Sequence, residues 1–298
     1  MTEVAVRDTP VVLEEADWLS RRAAHQRRVT PWVEPHLRRR RRGEKHPVED
    51  FLFTYYSYRP AQLARWHPGA GVVLAGDAAA EYLRYAGYVA TEKGVTLDTA
   101  AWLAKRRDAV RFVHHLLTRT AERAPYLGCF GMHEWAMVYR LSPDEVRHSD
   151  WPLRLSPDEI AEVVERRGVR CSHFDAYRFF TPAARPLNVL SPTRERQAEL
   201  EQPGCLHANM DLYKWAYKLS PLVSSDLVAD CFALAREIRT LDMRAAPYDL
   251  TALGYTPVRV ETPEGRAEFA AAQRRFAAAA TDLRRRLIAA CEALLALP

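Results

Sequence analysis

The feature that most constrains the fold is the stretch CLHANMDLYKWAYKL, residues 205–219, which has a helical period and two apolar sides. At about 100° per residue, one side carries Ala208, Leu212, Trp215 and Leu219, and the opposite side carries Leu206, Met210, Tyr213 and Tyr217. A stripe of ionisable residues spans roughly 40° between the two sides and consists of His207, Asp211, Lys214 and Lys218. Because a helix with two apolar sides is usually buried, we expect the stripe to line a cleft or an internal site.

The composition predicts a mainly helical protein with few, short strands. The 298 residues are 48% hydrophobic, which is ample for a continuous core, and 12 glycines are few for an α/β enzyme with glycine-rich loops. A hairpin is expected at 88–98, where YVATEKGVTLD turns near Lys93 and Gly94. No linker divides the chain, so we expect a basic N-terminal helical arm at 1–45 and a single mostly helical domain at 46–298. The helix of the arm runs from 13 to 42, and Pro31 and Pro35 could interrupt it.

A repeated hexapeptide, RLSPDE, predicts two helix starts at 140–145 and 154–159. Each copy places Ser at the N-cap position, Pro at the first helical position and Glu at the third, which is a strong capping signal. The second copy should begin a helix that continues through Arg167. We interpret the repeat as two caps and not as two domains.

Hydropathy and cysteine content indicate a cytoplasmic protein. No apolar run is long enough to span a membrane, and residues 2–8 are too polar for a signal peptide. The five cysteines are odd in number and widely spread, which is typical of reduced thiols. The net charge of +5 and the pI near 9.0 are compatible with a polyanionic partner without requiring one. The run Arg38–Arg42 could bind phosphates or could be a solvated helix end.

An aromatic segment, HPVEDFLFTYYSYRPAQLARWHPG at 46–69, could bind a planar ligand. Tyrosines can stack on a base while their hydroxyls stay polar, and Arg59 could bind a phosphate or carboxylate. The candidate ligand-binding residues of this segment are Tyr55, Tyr56, Tyr58 and Arg59. The alternative is a core helix with a few tyrosine hydroxyls at its rim.

Three segments place a His after a Cys with one to three residues between them and a carboxylate close by: CFGMHEW at 129–135, CSHFD at 171–175 and CLHANMD at 205–211. Helical spacing puts His207 and Asp211 on one face, which suits two ligands of one metal ion or an imidazole that orients a carboxylate. The candidate ligand set is His133, His173, His207 and Asp211, and it would suit iron, manganese or zinc. The same residues could instead form a metal-free acid/base cluster, or they could be satisfied core histidines.

Other motifs are absent from the sequence. There is no HExxH, no CxxC pair, no GxGxxG after a strand, no GxxxxGK[ST] and no GxSxG. The sequence therefore gives no support for nucleotide-dependent or α/β-hydrolase chemistry. The cysteines lie in apolar settings, where an inert thiol is the default.

Four strings resemble a family of actinobacterial proteins commonly labelled 3-methyladenine DNA glycosylase, and the similarity covers nearly the whole chain from about residue 13. They are HPVEDFLFTYYSYRPAQL followed by WHPG, CFGMHEWAMVYR, CSHFDAYRFFTPAARPLN and QPGCLHANMDLYKWAYKLSPLVSSDLVADCFALA. The resemblance implies base-excision repair, in which the N-glycosidic bond of an alkylated purine in double-stranded DNA is hydrolysed without a cofactor.

Such an enzyme needs an aromatic pocket for a flipped cationic base and a carboxylate that stabilises positive charge or orients water. Tyr55, Tyr56, Tyr58 and Trp135 could stack, and Arg59 and Lys214 could bind phosphates. The catalytic candidates are Asp211, Glu134 and His207. The sequence has no helix-hairpin-helix element, so these assignments come from the residues themselves and not from a known glycosylase.

Two other functions remain open. One is a metal-dependent oxygenase or hydrolase that acts on a small molecule in a cavity lined by the His and Asp candidates. The other is a non-enzymatic module that binds DNA or a protein partner. Membrane association is not expected for any of the three.

Overall fold

The computed structural model describes residues 10–142, 145 and 151–298. It is 59% helix and 6% strand, which confirms a mainly helical protein with a few short strands. No helix of these ranges is both long and apolar enough to cross a membrane. The predicted arm at 1–45 and domain at 46–298 stay a prediction.

The chain forms two compact units. The first comprises the described part of Met1–Leu117 together with Leu212–Ala233 and Asp282–Pro298. The second comprises the described part of Thr118–Asp211 together with Leu234–Thr281. The chain therefore passes between the units four times, each time within a long helix.

Four short strands form one sheet in the first unit: β1 (Val11–Leu13), β2 (Val72–Leu74), β3 (Tyr88–Thr91) and β4 (Gly94–Leu97). The order is β1-β2-β4-β3, with β1 parallel to β2 and the other pairs antiparallel. β3 and β4 pair Thr91 with Gly94, so the predicted hairpin is confirmed. Gly94 is required there because its φ is 131° and a Cβ would lie 2.1 Å from Leu74 O.

The remaining elements are eleven α-helices among the described residues. They are α1 (Glu15–Arg42), α2 (Phe51–Tyr55), α3 (Pro60–Leu63), α4 (Thr99–Ala121), α5 (Met132–Ala136), α6 (Pro157–Arg167), α7 (Phe174–Tyr177), α8 (Gln197–Leu200), α9 (Leu206–Leu219), α10 (Ser225–Ala245) and α11 (Pro263–Leu295). Short 3-10 helices lie at Asp77–Arg84, Arg185–Leu187 and Thr251–Leu253.

Helix α1 continues through both of its prolines, so the interruption that Pro31 and Pro35 could cause does not occur. A proline inside a helix removes one backbone hydrogen bond and costs about 3 kcal/mol. Trp32 lies between the prolines and packs on Phe232 at 5.2 Å between ring centroids, and this contact offsets part of the cost. The buried side of α1 has helical spacing and consists of Trp18, His25, Val29, Val33 and His36.

Helix α6 begins at the second RLSPDE copy, as predicted. The Ser156 hydroxyl accepts the backbone N–H of Glu159 at 3.3 Å, and the Glu159 carboxylate accepts the backbone N–H of Ser156 at 2.8 Å. The helix ends at Arg167, also as predicted. In the first copy, Ser142 donates to the Glu145 carboxylate at 2.6 Å, while residues 143, 144 and 146–150 lie outside the described residues.

Candidate functional site

The first Cys–His segment lies in the second unit and contains two consecutive residues of left-handed conformation. Phe130 has a φ of 46° and Gly131 a φ of 68°. A non-glycine residue in this region costs roughly 1–2 kcal/mol, so the surrounding packing must hold it. Helix α5 starts directly after Gly131, and the turn allows Cys129 and His133 to line the same cavity.

The third segment is fixed by a buried glutamine of α11. Gln273 is fully buried, and its amide Nε2 donates to Gly204 O at 2.6 Å and lies 3.2 Å from Cys129 Sγ. Position 204 requires glycine, because a Cβ there would lie 2.5 Å from Tyr126 O. Helix α9 starts two residues later and carries His207 in its first turn.

Helix α10 contributes a buried ion-pair network. Arg239 and Asp242 are three residues apart and therefore lie on one face. Arg239 Nη1 donates to Glu134 Oε1 at 2.9 Å and to Asp242 Oδ2 at 3.0 Å. All three side chains are almost completely buried. The two carboxylates and one guanidinium leave a net charge of −1, which a proton or a cation can neutralise.

The imidazole of His133 is next to this network. Its Nε2 lies 2.9 Å from Asp242 Oδ1. Burial by itself would lower the pKa of His133, but the charge and hydrogen bond of Asp242 outweigh burial and raise it. Burial would likewise raise the pKa of Asp242, and the pairing with His133 lowers it well below its usual range. The metal-free site therefore favours a protonated His133 beside an ionised Asp242.

His207 has the opposite environment. Its ring lies 4.4 Å from the His133 ring and 5.3 Å from the His173 ring, measured between centroids. Burial lowers the pKa of His207 well below its usual value, and His133 lowers it further. A neutral imidazole has a lone pair, so His207 can act as a base or as a metal ligand.

Among the residues that the structure describes, two groups of buried side chains could hold a metal ion. The first is His133, His207 and Asp242, and the second is His173, Glu201 and Asp211. Within each group the ligand atoms lie within 4.8 Å of one another. The structure therefore divides the predicted set of four: His133 and His207 belong to one group, and His173 and Asp211 belong to the other.

The second group is the poorer metal site because a helix cap fixes its histidine. The backbone N–H of Ala176 donates to His173 Nδ1 at 3.3 Å, which puts the proton of the neutral ring on Nε2. Nε2 lies 3.1 Å from Asp211 Oδ2 and 3.5 Å from Glu201 Oε1. A metal ligand needs a lone pair at the coordinating atom. His173 is therefore placed as a hydrogen-bond donor to the two carboxylates.

A small cavity lies beside the first group. Its volume is 20 Å³, about enough for one water molecule or one ion. Its lining includes Cys129, Cys171, Cys205, His133 and His207. Burial raises the pKa of the Cys171 thiol to about 12, and it also raises the pKa of Cys129 and Cys205. Within the part of the chain that the structure describes, the imidazole of His207 makes no hydrogen bond, and the residue is only 8% exposed.

The stripe of α9 runs from the interior to the surface. His207 and Asp211 are buried, as expected from the two apolar sides of the helix. Lys214 is partly exposed, with its Nζ 4.6 Å from the Trp215 ring centroid, and Lys218 is exposed. Only the first two members of the stripe are therefore buried.

The aromatic candidates are mostly packed among other rings. Tyr56 and Tyr58 are buried, and in the first unit they contact Tyr213 and Tyr217 at 5.0–6.3 Å between centroids. Tyr55 is partly exposed and Arg59 is exposed. A base could reach the buried rings only after the surrounding side chains moved.

Trp135 and Glu134 are adjacent in α5 but make different contacts in the second unit. Trp135 is fully buried, and its indole N–H donates to Ala245 O at 2.9 Å, as in a core tryptophan. Glu134 is the ion-pair partner of Arg239. Of these two sequence candidates, only Glu134 belongs to the buried ionic network.

Sequence reasoning missed Asp242, Arg239 and Glu201. A signal exists for the first two, because IRTLDMR places Arg and Asp three residues apart within an apolar amphipathic helix. Two charged side chains on a buried helix face destabilise the protein unless each has a partner of opposite charge. Their presence therefore indicates an internal ionic site. Glu201 precedes Pro203 in a polar stretch and gives no comparable signal.

Comparison with protein-family models, with curated proteins and with solved structures finds no match to this chain.

Proposed function

We propose that the protein is a metal-dependent enzyme whose divalent ion is bound by His133, His207 and Asp242. The observation that carries the proposal is the buried imidazole of His207, which lacks a hydrogen bond among the described residues and lies beside two other potential ligands. Two histidines and one carboxylate leave coordination positions open for substrate. This donor set is typical of non-haem Fe(II) oxygenases, and zinc hydrolases also use two histidines and a carboxylate.

The buried charge supports the proposal. Glu134, Arg239 and Asp242 together carry −1, and in the metal-free protein the proton of His133 compensates for it. A divalent ion can replace this proton, because a coordinating histidine must be neutral. The carboxylates of the network would then orient His133 and make it a stronger electron donor to the ion, as hydrogen-bond partners of metal ligands commonly do.

The surroundings restrict the substrate. The two ligand groups and their ion-pair network contain more buried carboxylates than guanidinium groups. The carboxylates belong to Glu134, Glu201, Asp211 and Asp242, and the single guanidinium belongs to Arg239. Such a site disfavours phosphates and other anions. The 20 Å³ cavity admits only a small molecule or one end of a larger one. We therefore expect a small neutral or cationic substrate.

Elemental analysis of protein purified without an affinity tag tests the proposal. We expect about one equivalent of iron, manganese or zinc, with iron indicating an oxygenase and zinc or manganese a hydrolase. His207→Ala should lose the ion, because it removes a ligand whose other contacts are few. The matched control His115→Ala changes an exposed histidine of α4 and should keep the ion. If neither purified protein nor protein incubated anaerobically with each metal binds an ion, the proposal is refuted.

DNA glycosylase activity, which the sequence resemblance implies, is the second candidate. Its support is the buried carboxylate cluster, which could stabilise a cationic alkylated base, together with the exposed arginines 38 and 40–42 at the end of α1. A purine is much larger than the cavity, so this activity requires the site to open. A gel assay on duplex DNA that contains 3-methyladenine or 7-methylguanine tests it, and absence of abasic product at micromolar enzyme would exclude it.

We propose that the protein is cytoplasmic. All five cysteines are free thiols, which is typical of a reducing compartment. Cell fractionation with an antibody against the native protein checks this location.

A further inference from the structure

The ion-sized cavity of the second unit meets solvent at one side of its lining. Arg170 is exposed and Cys129 is partly exposed, whereas the other residues that line the cavity are buried. The volume of 20 Å³ holds one ion or one water molecule. With the ion of the proposed function in place, most of a substrate must therefore lie outside the cavity, on the side of Arg170 and Cys129.

The backbone on both sides of Arg170 is held by a neighbouring segment. The Asn188 side chain accepts the N–H of Cys171 at 2.7 Å and donates to Cys171 O at 3.0 Å. The N–H of Val189 donates to Val169 O at 2.9 Å. These hydrogen bonds fix the residues before and after Arg170, so that its side chain begins from a defined position beside the cavity.

The guanidinium of Arg170 is positioned by an aromatic ring and not by a carboxylate. Its central carbon lies 5.0 Å from the centroid of the Tyr126 ring, which is a cation–π contact. The backbone of Tyr126 is itself fixed, because its N–H donates to Gln202 Oε1 at 2.8 Å. In the described ranges of the chain, the Arg170 side chain makes no ion pair and no hydrogen bond. Its N–H donors can therefore bind a ligand.

The charges at the site define the chemistry of that ligand. A guanidinium fits a planar carboxylate, which it can bind through two parallel hydrogen bonds. The surplus of buried carboxylates in the two ligand groups and their network opposes a ligand with net negative charge. A carboxylate ligand must therefore also carry a positive group. An α-amino acid meets both conditions, because its ammonium group balances its carboxylate.

We propose that the substrate is an apolar α-amino acid whose carboxylate is bound by Arg170. The inference rests on the proposed function, which supplies the ion as the reacting centre. An apolar side chain is favoured because the surface beside Arg170 is itself partly apolar: Tyr126 is 40% exposed and Val189 is 69% exposed. Arg170 is thus a specificity-determining residue, which selects the carboxylate and holds that end of the substrate at the exposed side of the cavity.

Calorimetric titration with L-leucine, L-leucinamide and N-acetyl-L-leucine tests the inference. Leucinamide lacks the carboxylate, and N-acetyl-leucine lacks the ammonium group. We expect leucine to bind about tenfold more tightly than either analogue, because a hydrogen bond between charged groups is stronger than one with a neutral group. The titration is made on protein as purified and after removal of metal, since the second preparation excludes chelation of the ion by leucine.

Two variants assign the selectivity to one side chain. Arg170→Gln should weaken leucine binding about tenfold and leave leucinamide binding unchanged, because only leucine presents a carboxylate. Arg167→Gln is the matched control, an exposed arginine that does not line the cavity, and it should bind leucine as the wild type does. Equal affinity of the wild type for leucine and leucinamide, or unchanged leucine affinity in Arg170→Gln, would overturn the inference. So would the absence of binding of leucine, alanine and phenylalanine at millimolar concentration.

Elemental analysis distinguishes this failure from failure of the proposed function. Protein that contains the ion but binds leucine and leucinamide equally would retain the proposed function and refute the amino acid as substrate. Protein that binds no ion but binds leucine through Arg170 would refute the proposed function and retain the amino-acid site.

Discussion

The buried guanidinium of Arg239 offers the sharpest test of the ionic network. In Arg239→Met, the side chain keeps much of its volume but loses its charge and its hydrogen bonds. Glu134 and Asp242 then remain buried with one positive partner fewer. Removal of one member of a buried ion pair costs about 3–5 kcal/mol, because it leaves an uncompensated charge in a medium of low polarity. We expect a loss of this size in the free energy of unfolding at pH 7.

The same helix supplies a matched control. Arg244 pairs with Glu268 at 3.1 Å, and the two side chains are 29% and 53% exposed. Exposed ion pairs contribute about 0–1 kcal/mol. Arg244→Met should therefore cost roughly 1 kcal/mol at most, although both variants remove an arginine from α10.

Urea unfolding followed by circular dichroism measures both variants on metal-free protein. The double variant Arg239→Met with Glu134→Gln should be more stable than Arg239→Met by about 1–3 kcal/mol, because one uncompensated carboxylate has become neutral. If Arg239→Met and Arg244→Met lose equal stability, or if Glu134→Gln gives no recovery, the carboxylates do not depend on the guanidinium and the electrostatic argument fails.

Three further predictions concern stability. Burial by itself would lower the pKa of His133, but Asp242 outweighs burial and raises it. Metal-free wild type should therefore be more stable than His133→Gln below about pH 6.5, and this difference should disappear as the pH rises. Burial lowers the pKa of His207, so wild type should lose stability relative to His207→Gln as pH falls below about 6.5. The urea concentration at the unfolding midpoint, measured at pH 5.5, 7 and 8.5, checks both histidine predictions. If this midpoint changes with pH equally in wild type and variant, the corresponding prediction is contradicted. Ser156→Ala should cost about 1 kcal/mol by loss of the α6 cap, and a loss below 0.3 kcal/mol would contradict this.

The parts of the site that depend on local pattern could be predicted from the sequence. Two apolar sides on one helix favour burial, and helical spacing puts His207 and Asp211 on one face, but the same spacing also predicted burial for Lys214 and Lys218, which are partly exposed and exposed. The hairpin at Gly94 and the cap at Ser156 follow from turn and capping chemistry. These features depend on neighbours within a few residues along the chain.

The parts that depend on distant pairing could not be predicted in this way. Asp242 follows His133 by more than one hundred residues, and no periodicity relates them. The division of the histidines into two groups depends on tertiary distances between their ligand atoms, and the position of the proton on His173 depends on the backbone N–H of Ala176. Helix α1 continues through Pro31 against the local preference of proline, and the contact of Trp32 with Phe232 that stabilises it is a tertiary contact that the local sequence does not show.

Gln273 has a consequence for any attempt to shorten this protein. Every candidate metal ligand predicted from the sequence lies before residue 212, so a fragment that ends there would contain the whole predicted ligand set. Such a fragment would lack the amide that joins the loop before α9 to the sulfur of Cys129, as well as the arginine and aspartate of α10. The candidate site residues in the middle of the chain thus depend on side chains from its last third.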